Sequence, residues 1–208
     1  MTTLRALGRD DLPAVAAVHR AAFPRMVVSR IGAEAVRRYY ESLLSGSYET
    51  AGLGAFQGGQ LAGFCFVGVR HWSEGAFVRA HAAFIVWRLL ASPRLWVDPV
   101  VLRRLELGLR LLFTRPPQTR ETEAGNCETE PPSYGIQLIA VEPGWQGAGV
   151  GRRLMEAGEA HARQRGSARI ELSVEPSNVR AVGFYERLGW RKLAAGGEWN
   201  GLMEKSLR

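Results

Sequence analysis

The feature that most constrains this chain is a glycine-rich turn set between a strand and a helix. Residues 138–158 read LIAVEPGWQGAGVGRRLMEAG. Leu138 to Val141 is apolar throughout, as a buried strand requires. Pro143-Gly144 interrupts it. Gln146-Gly147-Ala148-Gly149-Val150-Gly151 then opens a helix that runs to about Arg165, with Gly166 placed as its C-terminal cap. The first amides of a helix have no intrahelical acceptor, and the helix dipole adds partial positive charge there. Glycines let that backbone approach an anion with no side chain in the way. The turn is therefore a cradle for phosphate, and Arg152 and Arg153 bring guanidinium groups to its first helical turn.

Two other glycine loops fit less well. A Walker A loop ends in Gly-Lys-Ser/Thr, whereas this one ends in Gly151-Arg152-Arg153. A dinucleotide-binding unit carries its glycines in a parallel β-α-β unit, normally with an acidic residue on the next strand. Here the glycines come late, after a hairpin-like pair of runs, Ala51 to Phe56 and Leu61 to Val69, joined by Gln57-Gly58-Gly59-Gln60.

The rest of the chain supplies the frame. Thr3 to Leu7 reads as a strand, and Asp10 or Asp11 caps a helix to about Ala22 with Pro13 in its first turn. Ile31 to Leu44 has helical spacing. Phe77 to Leu90 and Val100 to Phe113 read as two further helices, separated by Pro93 and Pro99. TRPPQTRETEAGNCETEPP follows, with prolines, acids and no apolar period, and reads as a mobile loop. Gly135 to Val141 and Ala168 to Val174 are strands, Asn178 to Leu188 is a helix ended by Gly189, and Arg191–Ala195 with Glu198–Ser206 closes the chain as a strand pair.

Composition excludes several classes. Hydrophobic residues at 46% and charged residues at 23% fit a folded chain of 208 residues and not a disordered one. Two cysteines, Cys65 and Cys127, rule out a disulfide framework and a cysteine-built zinc site. No histidine and carboxylate set has metal-ligand spacing, so no metal is expected. No run of about 18 apolar residues is present, so no membrane span is expected. The opening MTTLRALGRDD lacks the pattern of a secretory leader and reads as cytoplasmic. The net charge of +7 is spread along the chain with no nucleic-acid reading motif, so no nucleic-acid partner is expected.

With these residues in view, the chain resembles the GNAT N-acetyltransferase superfamily. Gln146-x-x-Gly149-x-Gly151 after Val141-Glu142-Pro143 is similar to the family's acyl-CoA motif. Asn178-Val179-Arg180-Ala181-Val182-Gly183-Phe184-Tyr185-Glu186-Arg187-Leu188-Gly189-Trp190 is similar to its second signature, with Trp190 at a position usually held by Phe. Arg5-x-x-x-x-Asp10 ahead of the first helix also fits. The resemblance covers residues 134–206 well, 1–69 loosely, and 70–133 not at all. It implies an α/β (α+β) fold: one domain over 1–208 with a mixed, mostly antiparallel central sheet flanked by helices, and 70–133 as a helical insertion plus a mobile acidic, proline-rich loop.

The resemblance also implies acetyl-CoA as cosubstrate, lying where two neighbouring strands splay. The backbone of Ile139, Ala140 and Val141 would pair with the pantetheine. Gln146 and the turn Gly147, Ala148, Gly149, Val150, Gly151 and Arg152 would hold the pyrophosphate. Asn178 would contact the pantetheine arm and Tyr185 would sit near the thioester sulfur. A neutral amine attacks the carbonyl, the N–H near Val141 stabilises the oxyanion, and a phenol beside the sulfur protonates the leaving thiolate. Tyr185 is the candidate acid, against the alternative of a core aromatic. The base stays open among Glu142, Tyr134, Gln137 through water, Glu171 and His71, while His19 and His161 read as surface or packing residues.

The expected activity is that of an acyltransferase moving acetyl from acetyl-CoA to a primary amine of a small molecule or amino sugar in a ternary complex. A protein-amine acetyltransferase and a non-catalytic acyl-CoA-binding module are the alternatives. The insertion carries nine arginines from Arg70 to Arg120 against Glu74, Asp98 and Glu106, beside Phe77, Phe84, Trp87, Leu90, Leu95 and Trp96. It leaves three readings open: a helical hairpin packed on the domain or on a second subunit, a wall of the acceptor pocket, or peripheral contact with an anionic membrane.

Overall fold

The computed structural model describes residues 2–45, 49–69, 74–103, 134–193 and 198–208. Strand β1 (Thr2–Ala6) leads through a short 3-10 turn to α1 (Leu12–Ala22), α2 (Val27–Ile31) and α3 (Ala33–Ser45). The hairpin β2 (Thr50–Gln57) and β3 (Gln60–Val69) follows. Next come α4 (Glu74–Ala80), α5 (Ala82–Leu90), α6 (Pro93–Trp96) and α7, described over 99–103. Strand β4 (Tyr134–Val141), α8 (Val150–Gln164), β5 (Arg169–Ser173), α9 (Val179–Arg187), β6 (Arg191–Lys192) and β7 (Leu202–Ser206) complete the chain.

The seven strands form one sheet in the order β1-β2-β3-β4-β5-β7-β6, antiparallel except for β4 and β5. Its two faces bury separate cores. On one, Leu12, Val15, Val36 and Tyr40 of α1 and α3 pack on Phe64 and Phe66 of β3. On the other, Val150, Leu154 and Met155 of α8 and Tyr185 of α9 pack on Cys65, Val67 and Ile136. Alternation along β3 assigns its neighbours Phe64 and Cys65 to opposite faces, as a pleated strand must.

One irregularity decides where the site lies. Phe66 faces Leu138 and Val67 faces Ile136, so Gln137 is an extra residue in β4. Such a bulge reverses the side-chain alternation beyond it. Tyr134 and Ile136 belong to the α8 core, whereas Leu138 and Ala140 belong to the α1–α3 core. Gln137 also reaches across the sheet, its Nε2 donating to Thr50 Oγ1 at 3.2 Å.

Several local readings change. The expected helix over Ile31–Leu44 breaks at Gly32, so α2 ends and α3 begins afresh at Ala33. Phe77–Leu90 is two helices, because His81 leaves helical geometry. The closing strands are shorter than read. Asp11 precedes α1, but its carboxylate does not cap that helix: it accepts from Arg5 Nη1 and Nη2, both at 2.7 Å, and from the Gly8 N–H at 2.9 Å. Arg5 thus pairs with Asp11. The second insertion helix beyond 103, the whole of the acidic, proline-rich loop and His71 lie outside the described residues.

Candidate acyl-carrier site

Strands β4 and β5 pair at only three positions, Tyr134–Ile170, Gly135–Glu171 and Ile136–Leu172. Past the Gln137 bulge they part. β5 is drawn the other way, because the Val174 N–H donates to Gly201 O at 2.9 Å. Gly201 has φ +96°, and a Cβ there would lie 2.1 Å from Val174 O. Only glycine lets these two backbones meet, so Gly201 fixes one side of the opening.

The other side is the free edge of β4. The Glu142 N–H donates to Ala62 O on β3 at 2.9 Å. Amide directions alternate along a strand, so Ala140 also turns its N–H and C=O to β3. Ile139 and Val141 turn theirs to the opening. Gln146 already uses this edge, its Nε2 donating to Val141 O at 3.3 Å. Of the three expected backbone partners, two therefore face the gap and the third is committed to the sheet.

The glycine turn stands at the mouth of this gap. Gly147 and Gly149 have φ +85° and +78°, and a Cβ on either would meet nothing within 4 Å. These glycines are required by backbone conformation, with open space over them for a ligand. Gly149 is the N-cap of α8 and brings no side chain to cap it. Among the described residues the amides of Gly147, Gly149, Val150, Gly151 and Arg152 find no acceptor outside the helix. By the physics of helix ends, such a set of unpaired amides can hold an anion. Ala148 is turned into the loop, its N–H donating to Trp145 O at 3.4 Å. The Arg152 guanidinium is engaged with Glu156, at 2.8 Å. Arg153 donates to Thr2 O at 3.2 Å.

Helix α9 closes the site. A Cβ on Gly151 would lie 3.4 Å from the Phe184 ring and 3.6 Å from the Val141 side chain, so α8, α9 and β4 converge there. Asn178 caps α9, its Oδ1 accepting from the Ala181 N–H at 3.1 Å. Tyr185 is 9% exposed and packs on Phe184 and Trp190. Its hydroxyl has no hydrogen-bond partner among the described residues. Burial, with a smaller contribution from nearby Cys65, pushes its pKa up to about 12. The phenol thus keeps its proton at neutral pH.

The remaining candidates scatter. Tyr134 donates to Glu49 Oε2 at 2.9 Å, and Arg165 also reaches Glu49, at 3.2 Å. Burial first, then that hydrogen bond, raises the Tyr134 pKa. His161 stands near Tyr134, with its pKa lowered by burial. Glu142 flanks the turn. Glu171 lies in the paired part of β5. His19 is fully buried between α1 and α3, with Nδ1 2.7 Å from the Tyr40 hydroxyl, and burial lowers its pKa to about 4. No group of three or more metal-ligating side chains gathers among the described residues.

Sequence reasoning missed three things. The Gln137 bulge carries no composition signal. Gly201 lay unnoticed in the Asn200-Gly201 pair. A buried ionic knot also holds the second signature: Lys205 Nζ donates to both oxygens of Glu159 at 2.8 Å, and the Trp190 indole N–H donates to Glu159 Oε1 at 3.1 Å. Its only trace in the sequence was an acid on the inward side of α8, at 4% exposure.

A mostly antiparallel sheet whose one parallel pair opens beside an uncapped helix start is the architecture that the resemblance to the GNAT superfamily implies. The model of the Acetyltransferase (GNAT) family matches residues 15–190, and the chain belongs to that family. A mycothiol acetyltransferase from Streptosporangium roseum is 42% identical over 57 residues, 27% of this chain and 17% of that protein. The matched segment is therefore under a fifth of that relative's length. Among solved structures, the ribosomal-protein-S18-alanine N-acetyltransferase from Escherichia coli aligns over 100% of this chain and 94% of its own at a TM-score of 0.56 and 18% identity. The structure of yncA from Salmonella typhimurium with its cofactor acetyl-CoA aligns over 100% and 95% at a TM-score of 0.58 and 16% identity. Both likenesses are of fold.

Proposed function

We propose that this single domain moves the acetyl group of acetyl-CoA to a primary amine of a small molecule or amino sugar while both substrates are bound. The carrying observation is the opening between β4 and β5, with free amides on two sides of it. The residues fit the cosubstrate. The amides of Gly147, Gly149, Val150, Gly151 and Arg152, with Gln146, hold its pyrophosphate. Ile139 and Val141 pair with the pantetheine amides, and Asn178 adds its side-chain N–H.

Acetyl-CoA supplies the acyl group as an activated thioester. The Val141 N–H points into the gap and polarises the carbonyl oxygen there. Tyr185 holds a proton for the departing sulfur, and its burial keeps that proton in place until sulfur charge develops. The stretch shared with a relative named for mycothiol favours a small-molecule acceptor over a protein amine.

Calorimetric titration with acetyl-CoA and with free CoA, followed by an amine panel read by thiol release, tests this reading. Binding of both with turnover on an amine is expected. Binding without turnover on any amine would favour a regulatory acyl-CoA module. No binding by a folded sample would overturn the site assignment.

A further inference from the structure

Helix α5, between β3 and β4, is amphipathic the wrong way round. On α5 the outward positions are Ala82, Ala83, Val86, Trp87 and Leu90, without one charged group. Val86, Trp87 and Leu90 are 54%, 61% and 66% exposed. The helix's charge, Arg88, faces inward: its Nε donates to Ile31 O at 3.1 Å and its Nη1 to Ser92 Oγ at 2.7 Å. Phe84, also turned inward, lies under the Arg38 guanidinium of α3 at 4.1 Å. The inner face is thus seated on α2 and α3, and the apolar face is what remains. It continues onto α6, where Trp96 is held against the end of α5 by its indole N–H on Leu89 O at 2.7 Å, and onto Val97, 78% exposed.

Charge selects the occupant. From Phe77 to Arg103 the chain has one acid, Asp98. It is spent internally, accepting the Val100 and Val101 N–H groups at 2.9 and 3.3 Å and facing Arg30 at 3.7 Å. Among the described side chains from Phe77 to Arg103 the exposed charges are Arg79, Arg94 and Arg103, all cationic. A second copy docked here by a two-fold axis would bring like charges together. An apolar helix face with tryptophans, with these arginines beside it, matches the boundary between the headgroups and acyl chains of an anionic bilayer. No described helix is long and apolar enough to cross a membrane, so the contact is with one leaflet.

We propose that α4–α7 dock this chain on anionic lipid surfaces, with Val86, Trp87 and Leu90 entering the interface and Arg79, Arg94 and Arg103 meeting lipid phosphates. The test is flotation of the full chain with phosphatidylcholine vesicles and with phosphatidylcholine–phosphatidylglycerol vesicles. Binding to the anionic vesicles alone is expected, weakened by salt. Each of Arg79→Gln and Arg94→Gln should weaken it about fivefold. Trp87→Glu with Leu90→Glu should abolish flotation while acetyl-CoA binding and the melting temperature hold, which separates this test from that of the acetyl-transfer reading. Three results overturn the proposal: no flotation, equal flotation on neutral vesicles, or flotation untouched by Trp87→Glu with Leu90→Glu. A dimer in sedimentation that these substitutions dissociate, with no lipid binding, would reassign the face to a contact between copies.

Discussion

Replacing Tyr185 with Phe separates chemistry from packing more sharply than any other single change. The ring stays, with Phe184 at 5.3 Å and Trp190 at 6.2 Å between centroids, so the core around α9 is kept. The lost oxygen breaks no hydrogen bond among the described residues, so stability is expected to stay within about 0.5 kcal/mol of the parent. Catalysis is a different matter. A positioned general acid contributes roughly 10²–10⁴-fold, or about 3–5 kcal/mol of barrier. Thiol release under saturating acetyl-CoA should show kcat falling at least about a hundredfold, with KM for acetyl-CoA within about threefold, since the cradle amides are untouched. Burial holds the phenol's pKa near 12, so the parent's rate should show no alkaline decline from this group at any pH well below that. A folded Tyr185→Phe protein within about twofold of the parent would refute the assignment. An alkaline limb seen in the parent and missing in the variant would show that the hydroxyl ionises far more readily than its burial implies.

Three further outcomes follow from the same geometry. Gly149→Val must adopt φ +78° with a β-branched side chain, costing about 1–2 kcal/mol, and it fills the space over the cradle; calorimetry should show acetyl-CoA affinity lost by more than tenfold while the fold survives thermal melting. Gly201→Ala meets Val174 O at 2.1 Å on top of an unfavourable φ, so chemical denaturation should show a loss of about 2–4 kcal/mol, and a neutral result would show that the opening is not fixed there. His19 has a folded pKa of about 4 against an unfolded value of 6.5, so the unfolded chain binds its proton first, and stability drains as pH falls from about 6.5 to about 4, by about 3 kcal/mol in all; His19→Gln should flatten this part of the stability curve, and an unchanged acid slope would assign the loss to other groups.

The parts of the site legible in the sequence are those whose physics is local. A glycine-rich turn opening a helix announces itself because positive φ and an uncapped helix start both depend on a few consecutive residues, Gly147 to Gly151. The α9 signature was legible for the same reason: a helix over Asn178–Leu188 and Gly189 as its stop lie within one short segment, while the capping role of Asn178 came only with the structure. What escaped depends on residues far apart. The opening itself is made by an extra residue in β4, recognisable only against its partner β3, and by Gly201, whose lack of a side chain matters only because Val174 passes over it. The direction of Arg88 could not be read from a periodic pattern either. On the sequence, Phe77–Leu90 is largely apolar with Arg79, His81 and Arg88 among its residues, and nothing local says which side faces inward. It is the break at His81 and the seating of Arg88 on the Ile31 carbonyl that turn Trp87 and Leu90 outward. That an arginine takes the buried side while tryptophan and leucine take the exposed one contradicts the usual sorting by polarity, and such an inversion persists when the outer surface has a use of its own.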